Sequence, residues 1–286
     1  MARQRRIDFD GAVHHVMNRG VNHEPIFFGD PDRIEFGHRL ADIHEQFGVT
    51  TLAYCLMGNH YHLLLRTLDG DLSTAMHRLA SLYSRHTNDR VGRDGPLFRS
   101  RFHSILVTTD AYLLTATRYI HRNALDMPGV ASVGDYRWSS YRSYVRARPT
   151  PTFLRTDLVL GCFGDDRSEF ARFHADDTPS AADYAPISAA GVMQVVQFVI
   201  AEDQLLHADE TTLRNRLEKT LVMLLINDHP GVEWQQQLEA RYAFGSSTAR
   251  RMALHRARQR RATDPAVARI ATRLEFLLQA THPRAA

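Results

Sequence analysis

The residues best suited to chemistry fall in two short groups. His60-Tyr61-His62 lies in a stretch that reads as a β-strand. Alternate strand side chains share a face, so the two imidazoles point one way and Tyr61 the other. Two imidazoles on one face can share a metal ion; a pair of half-buried strand histidines is the plainer account. Tyr119 and Asn123 stand four residues apart in a helical stretch and so share a face about one turn apart. A tyrosine hydroxyl ionises near pH 10 and attacks poorly unless a metal or a base assists it. An amide oxygen one turn on can complete a metal's coordination or position a phosphate. The plainer account packs Tyr119 against a sheet and uses Asn123 to cap the helix end.

The elements that must carry these residues can be read from periodicity and breakers. Ala12–Asn18 is β-compatible and ends at Gly20. Asp30-Pro31 opens a helix, with Asp30 as cap and Pro31 at the first helical position. Ile34, Leu40, Ile43 and Phe47 form its stripe, and Gly48 stops it. Val49–Met57 and Tyr61–Thr67 read as strands joined through Gly58-Asn59. A second helix follows Asp71 or Ser73 and runs to about Asn88. Leu97–Val107 alternates like a strand, and a third helix runs from Thr109 or Asp110 to about Leu125. This order predicts an α+β fold: an antiparallel sheet with helices packed on one side, of the ferredoxin-like type. An all-α C-terminal domain follows, with helices over about 188–206, 210–227, 232–243, 246–261 and 264–280.

Composition sets the organisation. The chain has 286 residues, enough for one or two domains. The expected divisions are a domain over 1–146, a connector over 147–187 rich in Pro, Asp and Ala (with a short helix over Thr156–Cys162), and a helical region over 188–286. Residues 1–150 carry 19 basic and 15 acidic side chains, residues 151–210 carry 3 and 11, and residues 211–286 carry 13 and 6. Two basic blocks flanking an acidic stretch suit a polyanionic partner. Two isolated cysteines, Cys55 and Cys162, make neither a zinc cluster nor a disulfide framework. No apolar run reaches the roughly 18 residues of a membrane span, and no apolar core follows the basic start, so a cytoplasmic location is expected. In the C-terminal region, Gly231–Tyr242 followed by Thr248–Arg261 has the rhythm of a helix-turn-helix, with Gly245 at the turn and Ser246 as a cap. Its second helix carries Arg250, Arg251, Arg256, Arg258, Arg260 and Arg261, and either contacts DNA or presents a solvated arginine face.

Several segments together resemble the REP-associated tyrosine transposases, IS200-like single-tyrosine transposases of the HUH endonuclease superfamily. They are His15-Val-Met-Asn-Arg-Gly20, Ala53-Tyr-Cys-Leu-Met-Gly-Asn-His-Tyr-His-Leu-Leu-Leu65, Gly95-Pro-Leu-Phe-Arg-Ser-Arg-Phe102, Tyr112-Leu-Leu114, Arg118-Tyr-Ile-His-Arg-Asn123 and Trp138-Ser-Ser-Tyr141. They occur in the family's order and cover roughly residues 5–145. The resemblance implies that His60 and His62 hold a divalent metal, Mg²⁺ or Mn²⁺, with Asn123 approaching it, and that Tyr119 is the nucleophile. It implies metal-dependent cleavage and rejoining of single-stranded or hairpin DNA through a 5′-phosphotyrosine link. Two departures, Gly58 and Ala124 in place of prolines, touch turn geometry rather than chemistry. Arg99, Arg101, Arg118 and Arg122 lie near the expected site as candidate phosphate contacts, with Arg250 and Arg251 as candidates in the helical region. Phe98, Phe102, Trp138 and Tyr141 either stack bases or fill the core. Both a monomer and a homodimer fit. The rivals are a protein that grips DNA hairpins without cutting and an RNA-binding α+β domain.

Overall fold

The computed structural model describes residues 8–146, 150–175, 189–202, 211–228, 233–242 and 247–279. The chain divides into two compact units, Met1–Thr178 and Pro179–Ala286.

The first unit is built on a four-stranded sheet of β1 (Val13–Arg19), β2 (Thr50–Leu56), β3 (His60–Arg66) and β4 (His103–Val107), in the order β2-β3-β1-β4. Each neighbouring pair is antiparallel. Helix α1 (Asp30–Phe47) connects β1 to β2, and α2 (Leu72–Val91) connects β3 to β4. This is the ferredoxin-like arrangement expected from the element order.

Helices cover both faces of the sheet, not one. Val16, Tyr61, Leu63 and Leu65 pack with Phe36, Leu40 and Ile43 of α1 and with Met76, Leu79 and Tyr83 of α2. On the opposite face Ala53, Cys55 and Leu64 pack with Leu113, Ala116 and Ile120 of α3 (Asp110–Arg122). The tight turn between β2 and β3 supplies the phase: Met57 N–H donates to the His60 carbonyl at 2.9 Å, so that Tyr61 faces α1 and its two neighbours face α3.

The ends of α1 differ in detail from expectation. Gly29 caps it, and the Asp32 carboxylate accepts the Phe28 and Gly29 N–H groups at 2.7 and 2.9 Å. Asp32 therefore does the work expected of Asp30. Gly48 stops the helix in the left-handed region at φ 60°, where a glycine costs nothing sterically. Gly20 is required for a different reason: a Cβ there would lie 2.1 Å from the Glu24 carbonyl oxygen.

Two other expectations need correction. The strand read over Leu97–Val107 begins only at His103. Residues 97–102 form a loop held to β1 by single contacts, with Arg99 N–H donating to the Arg19 carbonyl at 3.0 Å. Residues 150–175, read as part of a connector rich in Pro, Asp and Ala, belong to the first unit. They carry α5 (Asp157–Gly161) and α6 (Arg167–Ala175), and Val159, Leu160 and Phe170 are buried in the α3-side core with Tyr144 of α4 (Tyr141–Val145). Val159 and Leu160 bury one face of α5, and Phe170 one face of α6, despite the acidic residues around them.

The described part of the second unit is all helical: α7 (Ala189–Glu202), α8 (Thr211–Asp228), α9 (Glu233–Tyr242), α10 (Ser247–Thr263) and α11 (Pro265–Gln279). Val195, Val199, Leu221, Leu224, Leu238, Ile270 and Leu274 are buried. The turn between α9 and α10, with Gly245 and Ser246, lies outside the described residues, as does Gly231. No helix among the described residues is long and apolar enough to cross a membrane.

Candidate functional site

The α3-side face of the sheet gathers the chemistry. β3 brings His60 and His62 to that face, with ring centroids 5.3 Å apart. β1, paired with β3, brings His15 beside them, its Nε2 3.2 Å from His62 Nδ1. α3 starts under control of Thr109, whose hydroxyl accepts the Tyr112 N–H at 3.1 Å. Its course lays the Tyr119 ring edge-on to both His62 and His15, each 5.6 Å between centroids. Tyr119 is 6 % exposed and His62 is fully buried, so the phenol is held against the imidazoles rather than swinging in solvent.

The ring nitrogens are oriented from outside the pair. The Asn59 amide donates to the His23 carbonyl at 3.2 Å, which turns its Oδ1 toward His60 Nδ1 at 2.7 Å. An oxygen can only accept, so His60 Nδ1 carries hydrogen and its Nε2 carries the lone pair. His62 Nδ1 also has a protein partner, His15 Nε2 at 3.2 Å, and either nitrogen of that pair can donate. This is the usual arrangement behind a metal-binding imidazole, in which one ring nitrogen is tied to a protein partner and the other faces the ion. Two imidazoles sharing one ion through bonds of about 2 Å have centroids on the order of 5 Å apart, which the pair matches.

Other groups nearby are poorer donors. Cys55 is paired with His62 across β2 and β3, but burial pushes its thiol pKa far up and its Sγ lies 3.4 Å from Met57 Sδ. It is a thiol, not a thiolate ligand. Among the described residues no group of three or more His, Cys, Asp and Glu side chains is placed to hold a metal. An ion here would depend on the imidazole pair and a neutral oxygen. Asn123 stands at the C-terminal cap of α3, and its Nδ2 donates to the Tyr119 carbonyl at 2.9 Å. The capping role foreseen for it is thus present, and the amide oxygen is the atom available in type for a cation.

The candidate arginines separate into three settings. Arg99 and Arg101 are exposed on the 97–102 loop. Arg101 also lines a cavity of about 480 Å³ between that loop and α2, with Phe98, Phe102, Met76, His77 and Tyr61. Arg118 is buried, its guanidinium 5.1 Å from the Phe173 ring centre, and Arg122 donates to the His174 carbonyl at 3.1 Å. Both therefore face α6 and not an open phosphate site. Arg250 and Arg251 are exposed on α10, where Arg250 pairs with Glu239 at 2.5 Å. Of the aromatics, Phe102 and Tyr141 are buried, while Phe98 and Trp138 are half-buried. The sequence gives neither His15 nor Asn59 a place in the site. The strand alternation that selected His60 and His62 says nothing of which residue a neighbouring strand sets beside them.

Part of the chain is similar to known proteins. Residues 9–123 match the family described as "Transposase IS200 like". That span runs from before β1 through the end of α3 and includes His15, His60, His62, Tyr119 and Asn123. A solved structure of a REP-associated tyrosine transposase bound to a REP hairpin is similar at 15% identity and a TM-score of 0.44, over 55% of this chain and 93% of that one. Comparison with curated proteins gives no match. The stretch that holds the sheet, its two flanking helices and the helix that carries Tyr119 is thus similar to the IS200-like transposases over residues 9–123.

Proposed function

We propose that the protein cuts and rejoins single-stranded DNA beside hairpins, with Tyr119 as nucleophile and a divalent cation held by His60 and His62. The observation that carries this reading is the packing of one phenol edge-on to His62 and His15, at 5.6 Å, on the face where β3 presents its imidazole pair. The Tyr119 oxygen attacks phosphorus, an O–P bond forms, and the P–O3′ bond breaks to release a 3′-hydroxyl. The resulting 5′-phosphotyrosine retains the energy of the original ester, so a second 3′-hydroxyl can reverse the step without ATP. A bound Mg²⁺ or Mn²⁺ would polarise the phosphate and stabilise charge on the leaving oxygen. The Nε2 atoms of His60 and His62 would hold it, with the Asn123 amide oxygen as a third donor. Asn59 and His15 fix the rings that do so. Arg99 and Arg101 offer phosphate contacts close to the sheet, and the exposed arginines of α10 offer a second contact with duplex.

Two observations favour a second reading. The Asn123 amide is turned onto its own helix and Tyr119 is nearly buried, as in a protein that grips a hairpin without cutting it. A gel assay with Mn²⁺ and hairpin oligonucleotides carrying single-stranded flanks separates the two. A covalent protein–DNA band that disappears in Tyr119→Phe, with hairpin binding retained, is the expected result. Nicking by Tyr119→Phe refutes the nucleophile assignment. A shifted but uncut complex with the unaltered protein establishes the binder.

A further inference from the structure

The family match ends at residue 123, but the contacts that fix the helix carrying Tyr119 continue beyond it. Three residues of α3 at helical spacing reach α6. Arg118 lies over the Phe173 ring, Arg122 donates to the His174 carbonyl, and His121 Nδ1 is 2.9 Å from His174 Nε2. The direction of the last bond is set by its neighbours. His174 Nδ1 is 2.9 Å from the Phe170 carbonyl, which can only accept, so Nδ1 carries the hydrogen and Nε2 accepts from His121. His121 Nε2 then accepts from the Ser140 hydroxyl at 2.8 Å. Ser140 in turn accepts the Tyr54 N–H at 2.9 Å and donates its own N–H to the Tyr54 carbonyl at 3.0 Å. A buried chain of hydrogen bonds therefore runs from the edge of β2 through α3 to α6, each imidazole in a single tautomer.

This chain does something that the apolar packing does not. Leu113, Ala116 and Ile120 hold α3 on the sheet, but such contacts are nondirectional and tolerate small rotations about the helix axis. Hydrogen bonds between buried partners do not, because a rotation leaves each of them unmade at full desolvation cost. Tyr119 is two residues from His121, so the rotation that the chain forbids is the one that would carry the phenol away from His62 and His15.

We infer that α6 acts as a clamp on the nucleophile helix, with His174 a positioning residue that sets the rotation of α3 and hence the place of the Tyr119 oxygen. The inference rests on the proposed role of Tyr119 for its catalytic meaning but not for its structural content.

The test uses the full chain labelled with 3-fluorotyrosine, the Tyr119 resonance being assigned by Tyr119→Phe. His174→Leu keeps bulk and removes the acceptor; His174→Gln keeps an acceptor facing His121. The expected result is a shifted or broadened Tyr119 signal in His174→Leu and a restored one in His174→Gln. Single-turnover cleavage with Mn²⁺ should fall about ten- to a hundredfold in His174→Leu at unchanged hairpin affinity and recover in His174→Gln. An unmoved Tyr119 signal in a folded His174→Leu overturns the inference. If His174→Leu does not fold, Phe173→Leu, altered at a half-buried site, must move the same signal, and its failure to do so is equally decisive. If the unaltered protein does not cleave, the proposed function fails while the fluorine signal still decides the clamp.

Discussion

Among single residues, the imidazole pair and the phenol owe their arrangement to neighbours that do no chemistry themselves. His15 touches both His62 and Tyr119, and Asn59 fixes the ring of His60. Loss of a partner that orients a metal-binding imidazole weakens metal binding by about ten- to a hundredfold. His15→Ala should therefore raise the Mn²⁺ concentration needed for half-maximal cleavage by that order, with the fold preserved by circular dichroism; an unchanged Mn²⁺ titration would remove His15 from the site. The facing of His60 and His62 was legible in the sequence because strand alternation is a local rule. The place of His15 was not, because its position next to His62 depends on the pairing of β1 with β3 across more than forty residues of chain. Of the two accounts of Asn123, the structure shows the cap: its Nδ2 donates to the Tyr119 carbonyl at the end of α3.

For the secondary-structure elements, the boundaries followed the strong breakers and failed where composition misled. Gly48 ended α1 as expected, and the C-terminal helices fell close to their predicted spans. The loop over 97–102 imitates strand alternation, yet only scattered hydrogen bonds tie it to β1. The segment over 150–175 reads as connector because it sits within a stretch rich in Pro, Asp and Ala, and no local rule marks Phe170, Val159 and Leu160 as an anchoring set. Phe36 anchors α1, fully buried with its ring 4.9–5.4 Å from those of Tyr61, Tyr83 and Phe27. Phe36→Ala should cost about 3–5 kcal/mol of stability, measured by urea unfolding.

The contact between α3 and α6 adds a dependence on pH. Burial, reinforced by Arg118 and Arg122, pushes the His174 pKa down to about 3 from its ordinary 6.5, with His121 and Tyr141 as its other titratable neighbours. The unfolded chain takes up a proton below 6.5 that the folded protein refuses. The stabilisation is complete above pH 6.5 and is lost progressively as pH falls from there toward 3. The urea midpoint should accordingly drop between pH 6.5 and 4, and His174→Leu should flatten that drop; parallel curves would show that other groups control acid unfolding.

Over the whole molecule, charge is distributed by unit. The helical unit presents exposed Arg250, Arg251, Arg256 and Arg258 along α10, while the first unit presents Arg99 and Arg101. Each phosphate neutralised on duplex DNA contributes about 0.9 to the slope of log affinity against log salt. Replacing Arg250 and Arg251 together by Ala should therefore weaken duplex binding at low salt and reduce that slope by about 2. An unaltered slope would assign α10 to a solvated face.

The placement of β3 between β2 and β1 binds the fate of the proposed reaction to the fate of the fold. Removing one residue from the turn at 57–59 would invert the strand, sending imidazoles into the oily layer beneath α1 and α2 and delivering Tyr61, Leu63 and Leu65 to the phenol. Natural variants with altered length at that turn should thus be insoluble rather than merely inactive, whereas lengthening the 127–135 excursion, which is mostly exposed, should be borne without harm.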